Sequence, residues 1–510
     1  MDIEMQKHSL IAVAVVLLAA GCTMAPHYER PAAPVTATFP TGGVYDTQPG
    51  APGAHSANGQ AAADIGWREF FVDQRLQRLI EIALENNRDL RVSVLNMQAS
   101  AAQYRIVRAG LFPTLNAAGS QSRQRTPRDL LISPNAPTIS NTYSVGLNAS
   151  WEIDFFGRVQ SLKDQALATY LGTAQARKAA EISLVSQVAN QYLTLLELDD
   201  LLKVTQDTLT NAQESYRITK LQFDNGTGSE LDLRQAQTVV ETASANLQAQ
   251  ARLQAQAENA LVLLIGEPLP ADLPPGLQLN DQNLLTDIPA GLPSDLLTRR
   301  PDIMEAEENL LAANANIGAA RAAFFPKVSL TGSFGTLSPT LGGLFKPGSA
   351  AWSFAPSITL PIFEGGQNIA NLNLANIEKN VQIATYEKAI QTAFREVADG
   401  LAARGTYDQQ IQALERNTSA EQRRLDLSNL RYKNGVDSYL SVLTAQTDLY
   451  SSQQSLITAR MQRLENLVTL YQALGGGWIE HTGDQPRPAD APVDYGAASA
   501  PVAASAATAG

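Results

Sequence analysis

The chain has 510 residues, of which 17% are charged and 6% aromatic, and a formal net charge of −12; it is rich in Ala, Gln, Leu, Asn, Ser and Thr. Its length allows several ordinary domains, but an acidic balance unbroken by any basic stripe argues against nucleic acid as a partner. A single cysteine, Cys22, leaves no internal disulfide framework, and after the N-terminus no apolar run reaches the roughly 20 residues that a membrane-spanning helix needs.

The chain opens with Lys7, the apolar run Leu10 to Ala20, and Gly21-Cys22-Thr23. This short run ending in small residues reads as a secretory signal rather than a membrane helix. It resembles a bacterial lipoprotein signal, which implies cleavage of 1–21 and acylation (palmitate among the acyl groups) at Cys22; the alternative is a plain signal with an incidental cysteine. Leu18 stands four residues before Cys22, one further than is usual, and Asp2 and Glu4 dilute the basic start, so Met5 is a second candidate start. Under the sorting rule of the lipoproteins that this signal resembles, Thr23 rather than an acidic residue after the cysteine implies sorting to the outer membrane. Residues 22–66, rich in Pro, Gly, Ala and Thr, read as an N-terminal tether.

The remainder is written twice. Phe223-Asp224-Asn225-Gly226 returns as Tyr432-Lys433-Asn434-Gly435, 209 positions later, and the same offset carries Gly157 onto Gly366 and Gly266 onto Gly475. Such self-similarity decides the architecture before any single element does. We place the first repeat at 67–267, a linker at 268–293, the second repeat at 294–478, and a disordered Ala/Pro-rich tail at 479–510.

Each repeat opens with a helix, Leu76 to Ala109 and then Pro301 to Ala323, with apolar residues such as Leu76, Leu79, Ile80 and Ala83 at helical spacing. Phe112-Pro113 and Phe325-Pro326 stop these helices. Alternating segments follow. Tyr143, Val145, Leu147, Ala149 and Trp151 alternate with Ser144, Gly146, Asn148 and Ser150; similar runs surround Val328–Gly335 and Trp352–Ile362, with a weaker one at Leu115–Gly119. Four strands in two hairpins are expected, with long loops at 123–142 and 336–351. A soluble sandwich and a membrane β-barrel both show this period of two. Barrel arithmetic favours the membrane, because the smallest barrels need about eight strands and open edges in lipid strand backbone amides. The chain is therefore expected to share a barrel with copies of itself.

After each hairpin comes a long proline-free stretch, Gly157 to Gly226 and Gly366 to Gly435, which as helix is on the order of 100 Å long. Asn225-Gly226 and Asn434-Gly435 are the expected helix-ending turns, after which the chain returns along a second helix to Gly266 or Gly475.

These features resemble the NodT-type outer-membrane efflux lipoproteins of the TolC/OprM superfamily. The specific fragments are Leu292-Pro293-Ser294-Asp295-Leu296-Leu297, Arg299-Arg300-Pro301-Asp302-Ile303 and Gly318-Ala319-Ala320-Arg321-Ala322-Ala323-Phe324-Phe325-Pro326. The resemblance implies a mostly α fold with membrane β: a homotrimer with a twelve-stranded barrel in the cell outer membrane, four strands from each protomer, and long helical hairpins forming a tunnel in the periplasm. It implies the exit channel of a tripartite RND-type efflux system, passing small molecules such as drugs, with an inner-membrane pump and a periplasmic adaptor as partners. A type I protein secretion duct is the alternative on the same fold, and a non-conducting lipid-anchored coiled coil is the alternative of another class.

The family's gate lies at the helical tip. Asp224, Arg431, Tyr432, Leu440 and Thr444 match that segment, with Asp232 and Asp437 nearby. Opposite charges beside equivalent turns point to an Asp224–Arg431 latch between neighbouring hairpins, the alternative being solvated turn charges. Thr444 departs from the family, which often carries aspartate there. No catalytic site, cofactor or metal is expected: the four histidines, His8, His27, His55 and His481, avoid the repeats, and the adjacent carboxylates Asp199-Asp200 and Glu307-Glu308 point apart on a helix and read as solvated faces.

Overall fold

A computed structural model describes residues 23–45, 55–56, 60–131, 133, 137–289, 291 and 293–484. The signal, Cys22 and the tail from 485 lie outside the described residues. In chain order the elements are β1 (His55–Ser56), α1 (Trp67–Phe70), α2 (Gln74–Asn86), α3 (Arg88–Ala109), β2 (Thr114–Arg125), β3 (Ile139–Ile153), α4 (Arg158–Asp224) and α5 (Glu230–Ile265). Then follow β4 (Leu285–Asp287), α6 (Pro293–Arg299), α7 (Pro301–Ala322), β5 (Lys327–Ser338), β6 (Ala350–Thr359), α8 (Gln367–Lys433) and α9 (Tyr439–Ala473). No helix among the described residues is long and apolar enough to cross a membrane.

Two compact units form, and neither coincides with a repeat. The first takes the chain to Ala32, Asn96–Thr173 and Glu305–Glu387; the second takes Ala33–Leu95, Ala174–Met304 and Lys388 onward. Each unit combines matching parts of both repeats, because packing joins the two copies side by side while the duplication only orders them along the chain.

In the first unit, four antiparallel strands run in the order β2-β3-β5-β6. The two hairpins come one from each repeat and meet along β3–β5, where Trp151 faces Leu330, Leu147 faces Phe334 and Gly146 faces Gly335. The alternation seen in the sequence sorts into two faces. One carries Leu115, Leu147, Leu330, Phe334, Trp352, Phe354 and Ile358; Trp352 is 77% and Ile358 72% exposed, so none of the described residues covers it. The other carries Thr114, Asn116, Ser120, Ser144, Ser150, Ser329, Ser333, Ser353 and Ser357, with hydroxyl pairs Ser120–Ser144, Ser329–Ser357 and Ser333–Ser353 each at 2.7 Å. From Ile153 to Tyr143 the apolar face rises roughly 33 Å along the strand, or about 25 Å at the usual tilt, the height of a membrane barrel's apolar band. The strands run past the expected loop limits, to Arg125 and Ser338, because ladder pairing continues there, Arg125 with Ile139 and Ser338 with Tyr143.

The segment after Cys22 is fastened to this unit. Arg30 donates to Glu307 through Nε at 2.7 Å and Nη2 at 2.9 Å, Tyr28 Oη donates to the same carboxylate at 3.1 Å, and Asn314 Nδ2 donates to the Pro26 carbonyl at 2.8 Å. Glu307 is therefore a clamp rather than part of a solvated face, and burial raises the carboxyl pKa of its neighbour Glu308. Gly318 is explained by the same strap: a Cβ there would stand 2.6 Å from Ser161 Oγ and 2.7 Å from the Ala25 nitrogen. Gly318→Val is expected to displace residues 24–30 at a cost of about 1–3 kcal/mol. Limited proteolysis checks this, with cleavage appearing in the strap while the rest of the chain stays resistant.

In the second unit the helix expected from Leu76 to Ala109 is two helices. Asn87 breaks it in extended conformation (φ −60°, ψ 130°), accepts from Leu90 N at 2.8 Å as the cap of α3, and donates to the Leu264 carbonyl at 2.8 Å. Capping of the new helix offsets the break. Arg300, buried, forks onto Asp302 (3.0 and 2.6 Å) and reaches Glu396 at 2.8 Å and the Ala473 carbonyl at 3.0 Å, tying the start of α7 to α8 and to the end of α9. Phe70 stacks on Tyr471 at 4.0 Å, and Phe39 on Phe394 at 5.2 Å. Residues 479–484, placed in the tail, pack instead against the start of the fold: Trp67 N donates to Ile479 O at 2.9 Å, Arg68 N to Glu480 O at 3.2 Å, and Gly66 N to Thr482 Oγ1 at 3.0 Å. In the Asp199-Asp200 pair Asp199 is exposed, as expected of a solvated face, and accepts from Gln254 at 2.5 Å, whereas Asp200 is half-buried and burial raises its carboxyl pKa.

Candidate functional site: the tip of the helical hairpins

Helices α4 and α8 have 67 residues each, about 100 Å of rise, and both end in the same turn. Gly226 (φ 73°) and Gly435 (φ 71°) take the left-handed conformation that closes a helix without a Cβ penalty. Thr227 N donates to Gln222 O at 2.9 Å, and Val436 N to Arg431 O at 3.0 Å, the matching bond of the second copy. Asn225 and Asn434 each return Nδ2 to the carbonyl four residues back, at 2.7 Å. Ser229 then caps α5, accepting from Asp232 N at 3.0 Å.

The expected gate residues divide into two groups. Arg431 forks onto Asp437 at 2.6 and 2.9 Å across its own turn, and that bond holds the Asp437 carboxyl below its usual range. Asp224 accepts from Lys220 one helical turn back, at 2.8 and 3.1 Å. The Asp224–Arg431 latch is therefore not made within the chain: each charge has a closer opposite in its own hairpin. Leu440 is exposed, and Thr444 returns its hydroxyl to the Leu440 carbonyl at 3.0 Å.

Tyr432 does join the two hairpins. Its hydroxyl meets Gln222 Oε1 at 3.1 Å, and its ring lies 5.3 Å from that of Tyr439. Tyr439 packs with Ala236 and Val442 in a small apolar cluster and meets Ser215 Oγ at 2.9 Å. Burial, then the charge of Asp232, raises the Tyr432 phenol pKa; burial also raises that of Tyr439, against the opposing Ser215 bond.

Sequence reasoning missed a seam that continues from this point. Thr205 meets Tyr450 at 2.9 Å, and Thr458 donates to Glu197 at 2.8 Å, so α4 and α9 are joined by polar pairs running antiparallel. The available signal was Tyr439 and Tyr450 standing 11 residues apart, three helical turns, in an otherwise Gln/Ser/Thr-rich helix. A cavity of about 760 Å³ lies among α4, α5, α8 and α9, lined largely by side chains such as Asn211, Thr238, Asn246, Gln422 and Gln446. Cys22 lies outside the described residues; its neighbour Thr23 lines a hollow with Met24, Ala25, Arg321, Phe324 and Phe325.

A sheet with one bare apolar face and one hydroxyl face, in a chain whose paired helices run about 100 Å to matched turns, defines a TolC-like outer-membrane channel subunit. Solved structures agree: the open-state MtrE outer membrane channel of Neisseria gonorrhoeae is 43% identical, with a TM-score of 0.80 over 91% of this chain and all of that one. Residues 79–267 and 292–476 match the outer membrane efflux protein family, and the chain belongs to it. Two Pseudomonas putida relatives, the toluene efflux pump outer membrane protein TtgC and the antibiotic efflux pump outer membrane protein ArpC, are each 49% identical over 477 residues, 93% of this chain and 97% of theirs. The chain is an efflux channel protein of the outer membrane.

Proposed function

We propose that three copies of the chain close one twelve-stranded barrel, anchored by lipid at Cys22, and that their helical hairpins form a periplasmic duct whose tip meets an adaptor and an inner-membrane pump. The observation that carries this is the sheet: β2 and β6 are its outer strands, and lipid does not tolerate open edges. Small toxic molecules are the cargo favoured by similarity to exporters of toluene and antibiotics. The tip is the gate, with Asp224, Asp232, Arg431, Tyr432, Asp437, Leu440 and Thr444 around the turns Asn225-Gly226 and Asn434-Gly435. The Tyr432–Gln222 bond holds it together with the Arg431–Asp437 fork. The fork is fully exposed and contributes little by itself, so a closed tip depends on threefold repetition.

The test is native mass followed by planar-bilayer recording. A trimer with small, rare openings is expected for the wild type. Arg431→Ala/Tyr432→Phe is expected to raise the open fraction roughly ten- to a hundredfold, because a small loss recurs at each of three tips. A monomer without conductance overturns the channel assembly; a wild type already wide open overturns the gate.

A further inference from the structure

The hydroxyl face of the sheet has a charge pattern of its own. Among residues of β2, β3, β5 and β6 that share this face by register, only Glu152 and Lys327 are charged, and both stand at the same end. Arg123 and Arg125, the other charged strand residues, take the opposite parity in β2. Arg158, in the first turn of α4, completes the group. Glu152 accepts from Lys327 Nζ at 2.9 Å and from Arg158 Nε at 3.0 Å and Nη2 at 2.9 Å. Two cations share one carboxylate, so the group carries a net charge of +1. The exposure is uneven: Glu152 is 19% exposed, Arg158 37% and Lys327 57%. The surplus positive charge is thus the part that meets solvent. Asp154 lies just beyond β3 and turns its carboxylate to the Gln160 N–H at 2.7 Å, and Glu364 lies past the end of β6.

We propose that the Glu152–Lys327–Arg158 group is a charge-selecting ring of the channel, favouring anionic over cationic solutes where they enter the sheet-lined segment. The proposal rests on the trimeric-barrel reading, in which three copies set three such groups around one lumen. Beyond the ring the strand residues of this face are hydroxyl, amide, glycine and alanine positions with Leu337, none of them charged, so among these strand residues the ring is the one source of charge. Lys327 determines specificity, and Arg158 and Glu152 position it.

The experiment reads that potential locally and leaves the tip unchanged. Ser357 is exposed on the hydroxyl face, diagonal to Lys327 through the Lys327–Thr359 pair, a separation of about 7–8 Å, which is inside the Debye length of about 10 Å at 0.1 M salt. Ser357→Cys in the purified trimer in lipid vesicles is labelled with an anionic sulfonate methanethiosulfonate and with its cationic trimethylammonium counterpart. The wild type, whose one cysteine is Cys22, gives the background. The anionic-to-cationic rate ratio is expected to fall roughly two- to sixfold with Lys327→Gln and to rise with Glu152→Gln. A purely structural role would move both variants in the same direction. Equal ratios in all three backgrounds overturn the proposal. Phe354→Cys, on the opposite face, is expected to react with neither reagent. If Cys at 354 labels and Cys at 357 does not, the barrel reading itself falls, and native mass on the same samples reports the trimer separately.

Discussion

Gly335→Val is expected to abolish assembly in the outer membrane. A Cβ on Gly335 would stand 2.5 Å from Gly146 Cα, with the Val145 carbonyl oxygen closer still, and a Cβ on Gly146 would stand 2.7 Å from the Phe334 carbonyl oxygen. These contacts are backbone, so no rotamer change relieves them. The pair also sits in the β3–β5 ladder, the joint between hairpins from different repeats. Forcing that ladder apart costs about 3 kcal/mol or more from overpacking, and within lipid each unpaired amide adds several kcal/mol. The check is the fraction of protein recovered as membrane-inserted trimer, expected near zero for Gly335→Val. Gly332→Val is the control: a Cβ there meets only Ser353 O, at 3.7 Å, and it should assemble as wild type.

The second large effect is expected at Asp73. Its buried carboxylate caps α2 by accepting from Arg75 N at 2.8 Å. Through Oδ2 it also accepts from Tyr192 Oη at 2.9 Å, Leu277 N at 2.9 Å and Gln282 Nε2 at 2.7 Å. One side chain thus holds α2, α4 and the linker between the repeats. Burial, followed by the Asp73 charge, keeps the Tyr192 phenol above its usual range, so it stays a donor. Asp73→Ala strands these donors, each at about 1–3 kcal/mol, and removes a cap contributing about 1 kcal/mol; a loss of roughly 4 kcal/mol is expected. Asp73→Asn should do nearly as badly, because an amide that accepts from Arg75 N turns its own donor toward three others. Chemical denaturation followed by helix signal checks both, and a loss under 1 kcal/mol in Asp73→Ala would refute the hub.

The sequence by itself determined the duplication, the four strands and their two faces, the two 67-residue helices and the Gly turns that end them. These are periodic or local properties: side-chain alternation, proline-free length, and a backbone conformation that favours glycine. Glu307 and Asp73 were illegible for a different reason. Their partners lie 279 and 119 residues away (Tyr28 and Tyr192), and no spacing rule connects a carboxylate to a hydroxyl across such a gap. The helix break at Asn87 was masked because the apolar spacing continues past it, while the hydrogen bond that favours the break comes from Leu264.

At the tip, the sequence identified which residues gather and tertiary structure decided which of them pair. Asp224 and Arg431 have opposite charges beside equivalent turns, yet Lys220 and Asp437 are nearer to them in the chain and in space. Short local pairs forgo less chain entropy than long ones, so they form first. Tyr432 found Gln222 only because packing laid the second hairpin against the first. The facing of Gly146 by Gly335 is of the same kind: alternation placed both on the polar face, and only the register of strands from different repeats set them opposite each other.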